Sequence, residues 1–244
     1  MENNRIAVLI YGQSRSLSSH CSLLSLKALF PYHELDFFIH TWQDSNIENQ
    51  ELSIKKKYKP IALNIDEPLD RVLELRKYSQ QIFECKARLK IEKQDDHIFA
   101  CISQLTSVQA VNELFCNHIA EHAGKYEYVV LTRFDAIYLG KFNSKLLDTF
   151  DLIVSKSHSY YPDVIQIYRT NVAKKIRPIE VLPLSLHSCW DLCGEGLRET
   201  SHRLHGISIS YDDFYYYLAR EGMSTGQKLK LMRQYFRYVY KKLC

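Results

Sequence analysis

The feature that most constrains the fold of this chain is an uninterrupted apolar run near its beginning, residues 6–10 (IAVLI), which is rich in β-branched side chains. A run of this length that is followed by Gly12 is typical of a strand buried on both faces, and such strands belong to parallel sheets covered by helices. Residues 128–132 (YVVLT) have the same character. The two runs predict an α/β protein, with the second as its best central-strand candidate.

Strand and helix patterns alternate along the rest of the chain, which predicts a mostly parallel, doubly wound sheet with flanking helices. Apolar residues at spacings of three and four predict a long helix over 98–123, and Gly124 is expected to end it. The segment 69–93 is charged and favours helix, and 170–203 is expected to form loops with short helices. Further strands are expected at 36–40, 61–65, 152–155, 164–168 and 207–211, and a further helix is expected at 23–29.

Composition excludes several classes of protein. The 244 residues include 17 Tyr and 11 Phe, which excludes disorder, and a net charge of +4 is too small to indicate a nucleic-acid partner. The seven cysteines are scattered without a zinc-site spacing, so reduced thiols are expected. No signal peptide or membrane-spanning run is recognised, so we expect a cytoplasmic protein. A single catalytic domain is predicted over 1–225.

Polar residues follow the first two predicted strands, where ligands bind in open α/β sheets. After the first strand come Gly12, Gln13 and Arg15. Glycine lets the backbone approach a ligand, glutamine can contact a base or ribose, and arginine can neutralise a phosphate. His40 and Trp42 end the second strand and suit a platform for a sugar or a base. All five are predicted to bind the ligand; the alternatives that the sequence leaves open are a structural turn with Arg15 in solvent and an aromatic plug of His40 and Trp42 over the end of the sheet.

A third polar cluster, Arg133 and Asp135, follows the most apolar strand. Ionisable groups at the exit of a buried strand are costly unless they are paired with each other or bound to a ligand. The two alternatives that the sequence leaves open are a structural Arg133–Asp135 interaction and a site for a diphosphate. In the second case Asp135 can hold Mg²⁺ or Mn²⁺, which favour carboxylate and phosphate oxygens.

Together, these clusters resemble the GT-A type of nucleotide-sugar glycosyltransferase, and in particular the WavE-like group of small bacterial and large-virus enzymes that build surface glycans. The similarity covers residues 5–221 and depends on short motifs: Gly-Gln-x-Arg, His-Thr-Trp, a helix beginning near Gln104 and Ser107, and Tyr-x-x-Val-Leu-x-Arg-Phe-Asp. It implies transfer of a sugar from a nucleoside diphosphate-sugar to a hydroxyl of a polysaccharide or a lipid-linked lipopolysaccharide acceptor. It also places the Arg-x-Asp element where these enzymes carry a DxD motif.

The same resemblance implies roles for further acidic residues. Asp135 would contact the diphosphate and sugar, as a catalytic residue and as the ligand of Mn²⁺ or Mg²⁺. Asp163 and Glu195 fall where acceptor-side carboxylates are expected, and Asp163 is also predicted to bind the donor. Since an inverting transfer needs a carboxylate as general base, Asp191 or Glu195 is predicted for that role, with an exposed loop acid as the alternative for either. Because one carboxylate replaces the pair of a DxD motif, the requirement for a metal is left open.

Two alternative functions and a membrane contact are also left open. The loop after the first strand has the look of a sulfotransferase phosphosulfate loop, although Leu17 stands where those loops usually have glycine. The missing second carboxylate would also suit a non-catalytic binding protein on a transferase scaffold. The segment 226–244 is predicted to form a basic amphipathic helix, which could pack on the core or lie on the inner face of a membrane through 228–243.

Overall fold

A seven-stranded sheet forms the centre of the protein. The computed structural model describes residues 5–14, 17, 21–90, 92, 95–122, 125–140, 142–155, 164–188, 194–212 and 215–218. The strands within these ranges are β1 (Arg5–Tyr11), β2 (Glu34–Trp42), β3 (Ala62–Asp66), β4 (Tyr128–Arg133), β5 (Ala136–Leu139), β6 (Leu152–Ser155), β7 (Ile165–Arg169), β8 (Ile209–Asp212) and β9 (Tyr215–Leu218). The helices are α1 (Cys21–Leu29), α2 (Gln50–Tyr58), α3 (Arg71–Lys77), α4 (Ser79–Leu89), α5 (Asp95–Glu121), α6 (Leu182–Ser188) and α7 (Gly194–Leu204).

The order of the strands creates a crevice between β1 and β4. The sheet order is β3-β2-β1-β4-β7-β6-β8, and β7 alone of these seven runs antiparallel to its neighbours. The chain proceeds from β1 outwards to β2 and β3, and then crosses back through α5 to place β4 on the other side of β1. This reversal is a topological switch point, where the connections leave the strand ends in opposite directions and a ligand can enter.

Strand β1 is buried on both faces, as its continuous apolar sequence predicts. Ile6, Val8 and Ile10 pack into the core that α1 and α2 cover. Ala7 and Leu9 face the opposite core, to which α5 contributes a row of apolar residues at spacings of three and four, namely Val108, Val111, Phe115 and Ile119. The period of two along the strand and of 3.6 along the helix thus fixes the layers.

The structure confirms the predicted α/β class with a mostly parallel central sheet flanked by helices, and all seven expected strands lie in that sheet. The segment 170–203 contains short helices, as expected. The helix-prone segment 69–93 forms two helices that are interrupted at Tyr78. Helix α2 and the small sheet of β5 and β9 were not anticipated from the sequence.

Helix α5 corrects one expectation of the family resemblance. It begins at Asp95, so Gln104 and Ser107 lie in its interior rather than at its start. The acidic residues of its first turn favour this earlier start, because carboxylates stabilise the positive end of a helix. Its expected end at Gly124 lies outside the described residues.

The predicted helix at 226–244 also lies outside the described residues, so it and the domain boundaries remain predictions. Of the helices that the structure describes, none is both long enough and apolar enough to cross a membrane. Three of the seven cysteines, Cys85, Cys101 and Cys116, are described as reduced residues outside any disulfide, as expected for them.

Candidate functional site

A cavity of about 360 Å³ opens at the carboxyl ends of β1 and β4, at the switch point of the sheet. Its volume falls within the range of small-molecule sites. Aromatic rings and polar side chains line it together: Tyr11, Gly12, Gln13, Trp42, Phe99, Ala100, Ser103, Gln104 and Arg133. The parallel register of β1 and β4 places Tyr11 directly beside Arg133, which brings two of the predicted clusters to one place.

The loop that follows β1 is held at both ends by buried side chains. Gly12 has φ +90°, which glycine adopts readily and other residues avoid. Its N–H donates to Ser107 Oγ on α5 at 2.8 Å. Two residues later, Ser14 Oγ accepts a hydrogen bond from Gln50 Nε2 at 2.8 Å. Gln13, which lines the cavity, therefore lies between two residues that hydrogen bonds hold in place.

Gln50 joins this loop to the one that follows β2. Its Nε2 also donates to the carbonyl oxygen of Trp42 at 2.9 Å, and its Oε1 accepts from the backbone N–H of Asp44 at 3.0 Å. The carboxamide is buried, and these bonds use both its donor and its acceptor atoms. Gln50 thus fixes the relative position of two walls of the cavity, a role that the sequence analysis missed.

His40 lies behind Trp42 and away from the cavity. Its side chain is completely buried, with Nδ1 at 2.7 Å from Ser107 Oγ and Nε2 at 3.0 Å from Asp66 Oδ2. Its ring meets the Trp42 ring edge to face, with centroids 4.9 Å apart. Burial lowers the pKa of His40, and the hydrogen bond to Asp66 opposes this effect in part. Trp42 lines the cavity, whereas His40 supports it from behind.

Arg133 and Asp135 form a bidentate ion pair, the first of the two alternatives that the sequence leaves open. Arg133 Nε and Nη2 donate to the two carboxylate oxygens of Asp135, each at 2.9 Å. The Arg133 side chain is 27% exposed and lines the cavity, whereas that of Asp135 is 6% exposed and lies beneath it. The ligand-facing group of this element is therefore the guanidinium.

Tyr11, on the floor of the cavity, is held by a buried arginine of α7. Arg198 Nη1 donates to the Tyr11 hydroxyl at 3.0 Å, and its guanidinium lies 5.0 Å from the centre of the Tyr11 ring. Arg198 is fully buried, and so is His202 one turn later in α7. Burial, together with the nearby charge of Arg198, lowers the pKa of His202 to about 3. Both residues thus lie in the interior beneath the site.

The described residues do not fit a Mn²⁺ or Mg²⁺ ion at Asp135. Both of its oxygens already accept hydrogen bonds from Arg133, and a cation bound there would be repelled by the positive guanidinium beside it. Across the part of the chain that the structure describes, no group of three or more His, Cys, Asp or Glu side chains is arranged to hold a metal. Among the described residues that line the cavity, the positively charged side chain is that of Arg133.

Four of the predicted site residues line the same cavity, namely Gly12, Gln13, Trp42 and Arg133. His40 and Asp135 are buried and are not among the residues that line the cavity. Arg15, Asp163 and Asp191 lie outside the described residues, and the side chain of Glu195 is likewise not described.

Sequence reasoning missed the contribution of α5 to the lining, which is Phe99, Ala100, Ser103 and Gln104. The available signal was the adjacent polar pair Ser103 and Gln104, which interrupts the run of apolar residues in this part of the helix.

Comparison with known proteins gives distant structural likenesses. No family model and no curated protein matches the sequence. A nucleoside-diphosphate-sugar pyrophosphorylase from Vibrio cholerae RC9 is 10% identical, with a TM-score of 0.46 over 93% of this chain and 99% of the other. A protein described as a nucleotide-diphospho-sugar transferase from Desulfovibrio desulfuricans G20 is 8% identical, with a TM-score of 0.41 over 86% and 80% of the two chains. Likenesses at this level do not identify a ligand or an activity.

Proposed function

We propose that this protein is a glycosyltransferase that binds a nucleoside diphosphate-sugar in the cavity and transfers the sugar to a hydroxyl of a surface polysaccharide or lipopolysaccharide. The observation that carries the proposal is the meeting of a guanidinium, two carboxamides and aromatic rings at the switch point of the sheet. A diphosphate requires the positive charge, a base offers donors and acceptors to the amides, and its flat face suits an aromatic ring.

In the proposed transfer, the bond between the sugar carbon and the diphosphate oxygen breaks while a bond to the acceptor oxygen forms. Negative charge develops on the leaving diphosphate, and Arg133 would stabilise it electrostatically. The acceptor proton passes to a general base, for which Asp191 and Glu195 remain the proposed residues. Arg15 and Asp163 likewise remain proposed contacts of the donor.

The binding step can be tested by thermal stabilisation with a panel of nucleotides: UDP, dTDP, GDP, CMP and adenosine 3′,5′-bisphosphate. A ligand at a hundred times its Kd stabilises the native state by about 2.7 kcal/mol, which a melting curve detects. We expect one of the diphosphates to raise Tm. Failure of every diphosphate would overturn the proposal, and a response to the bisphosphate alone would favour the sulfotransferase alternative.

Arg133→Gln separates specific binding from a general effect of charge. Losing a hydrogen bond from a charged group to the diphosphate should weaken binding about ten- to a hundredfold. Arg177→Gln is a matched control, because Arg177 is also 27% exposed and pairs with Glu113 at 3.0 Å. Equal affinities in the two variants would exclude Arg133 as a contact of the diphosphate.

A non-catalytic binding protein is the second candidate function, and the engagement of both Asp135 oxygens by Arg133 favours it. The two functions differ in turnover. Incubation with nucleotide-sugars should release the diphosphate if the protein is a transferase, with water as a slow substitute for the acceptor. Binding of the diphosphate without any release from a panel of sugars and acceptors would favour the binding protein.

We further propose that residues 228–243 bring the protein to the cytoplasmic face of a membrane, where lipid-linked acceptors reside. Six basic residues and no acidic ones lie between positions 228 and 242, which suits attraction to anionic lipids. Deletion of residues 228–244 should abolish sedimentation with vesicles that contain phosphatidylglycerol. Sedimentation that is unchanged after the deletion would exclude this contact.

A further inference from the structure

A buried chain of hydrogen bonds connects the loop of the cavity to a carboxylate at the end of β3. The N–H of Gly12 donates to Ser107 Oγ at 2.8 Å, Ser107 Oγ lies 2.7 Å from His40 Nδ1, and His40 Nε2 lies 3.0 Å from Asp66 Oδ2. Ser107 and His40 are completely buried, whereas the Asp66 side chain is 48% exposed. This chain of hydrogen bonds therefore runs from the cavity wall to solvent and joins four separate segments of the sequence.

Every donor in this chain points in the same direction. An ionised carboxylate only accepts, so the hydrogen of the neutral His40 ring must lie on Nε2, and Nδ1 is then an acceptor. Ser107 must in turn donate its hydroxyl hydrogen to Nδ1, which leaves its oxygen free to accept from the Gly12 N–H. Aligned donors polarise one another, so the charge of Asp66 strengthens the bond made by Gly12.

The same three residue types form the catalytic triads of hydrolases, but this arrangement does not suit a nucleophile. Ser107 has no exposed surface and does not line the cavity. Its oxygen already accepts a hydrogen bond from Gly12. A substrate carbon therefore cannot reach this hydroxyl. The role of this chain of hydrogen bonds is structural, and it bears on the loop that contains Gly12.

We propose that Asp66, His40 and Ser107 are positioning residues that fix the peptide of Gly12 and thereby hold Gln13 in place for the ligand. Glycine can adopt many backbone conformations, and Gly12 has the positive φ of +90° in this structure. The loop therefore needs an anchor at Gly12 if it is to be ordered before binding. The identity of the ligand rests on the proposed function, whereas the fixing of Gly12 does not. His40 thus contributes to binding without contacting the ligand.

The positioning itself is tested by NMR on ¹⁵N-labelled protein without nucleotide. We expect the His40 ring to be the Nε2–H tautomer and the Gly12 amide to be protected from hydrogen exchange. Ser107→Ala should accelerate that exchange at least tenfold. Asp66→Asn, at a half-exposed residue, should accelerate it several-fold although three successive hydrogen bonds separate Asp66 from Gly12.

Two control variants separate this effect from general destabilisation. Thr106→Ala removes a neighbouring hydroxyl of α5 that donates to the carbonyl of Ile102 in its own helix at 2.9 Å. Glu67→Gln neutralises the exposed carboxylate next to Asp66 in sequence. Neither should change the exchange of Gly12. A Gly12 amide that is insensitive to Asp66→Asn, or an Nδ1–H tautomer of His40, would overturn the proposal.

The consequence for binding is measured with the nucleoside diphosphate that stabilises the wild-type protein most. Ser107→Ala should weaken its binding about five- to tenfold, and Asp66→Asn less, while Thr106→Ala leaves it unchanged. If no diphosphate binds the wild-type protein, the proposed function fails, and the exchange of Gly12 still decides whether the chain positions the loop. Wild-type affinity in Ser107→Ala would show that the anchor does not serve this ligand.

Discussion

The ion pair of Arg133 and Asp135 makes a sharp prediction about stability because its two members are buried to different extents. The Asp135 side chain is 6% exposed and the Arg133 side chain 27%. Arg133→Met leaves the Asp135 carboxylate unpaired at a position that water barely reaches. An unpaired buried charge of this kind lowers the unfolding free energy by about 3–5 kcal/mol. Asp135→Asn leaves a guanidinium that water in the cavity can solvate, and it retains one oxygen acceptor, so we expect a cost of about 1–2 kcal/mol.

Urea denaturation followed by circular dichroism measures these costs, provided that the m-value stays constant. The double variant Arg133→Met/Asp135→Asn leaves no unpaired charge, and it should be about 1–2 kcal/mol more stable than Arg133→Met alone. The pair Arg177–Glu113 is the control: Glu113 is 45% exposed, so Glu113→Gln should cost at most about 1 kcal/mol. The reasoning is refuted if Asp135→Asn costs as much as Arg133→Met, or if the double variant is the least stable.

Three further predictions concern pH, backbone conformation and metal. The pKa of His202 is about 3 in the folded protein against an ordinary 6.5, so the unfolded state gains a proton first as the pH falls. Lowering the pH from 7 to 5 should therefore cost the wild-type protein about 2 kcal/mol of unfolding free energy, measured by urea titration, and His202→Gln should not show this loss. Gly12→Ala should cost about 1–2 kcal/mol in the same titration, from its positive φ alone, because no atom lies within 4 Å of the added carbon. If Arg133 contacts the diphosphate as proposed, excess EDTA should leave the rise in Tm with nucleoside diphosphate unchanged, and a loss of that rise would indicate a metal.

The sheet could be predicted from the sequence because its strands carry their signal locally. A strand that is buried on both faces is mostly apolar, and residues 6–10 and 128–131 satisfy this without reference to the rest of the chain. The rule that ligands bind at the ends of such strands then indicated Gly12, Gln13 and Arg133, which do share a cavity.

The support of the site could not be predicted in the same way, because it depends on contacts between distant segments. Gln50 lies in a polar stretch that looks like any exposed helix start, and its burial follows from the loops that close over it. Ser107 meets Gly12 across 95 positions of sequence, through a crossover whose path no local pattern specifies. The small sheet of β5 and β9 was missed for a similar reason, since its two strands are short and far apart in the chain.

The spacing of Arg133 and Asp135 explains why this element can be stable without a metal. In a DxD motif, two carboxylates two residues apart repel each other, and a cation is needed to bring them together at a buried strand end. In this chain an arginine stands two residues before the carboxylate, and the two side chains attract each other through two hydrogen bonds of 2.9 Å. The buried carboxylate of Asp135 neutralises part of the guanidinium charge and fixes the plane of the guanidinium. The exposed edge of the guanidinium faces the cavity. In the proposed reaction, the ligand would meet a positive group whose orientation is set before binding, and a departing diphosphate requires such electrostatic preorganisation.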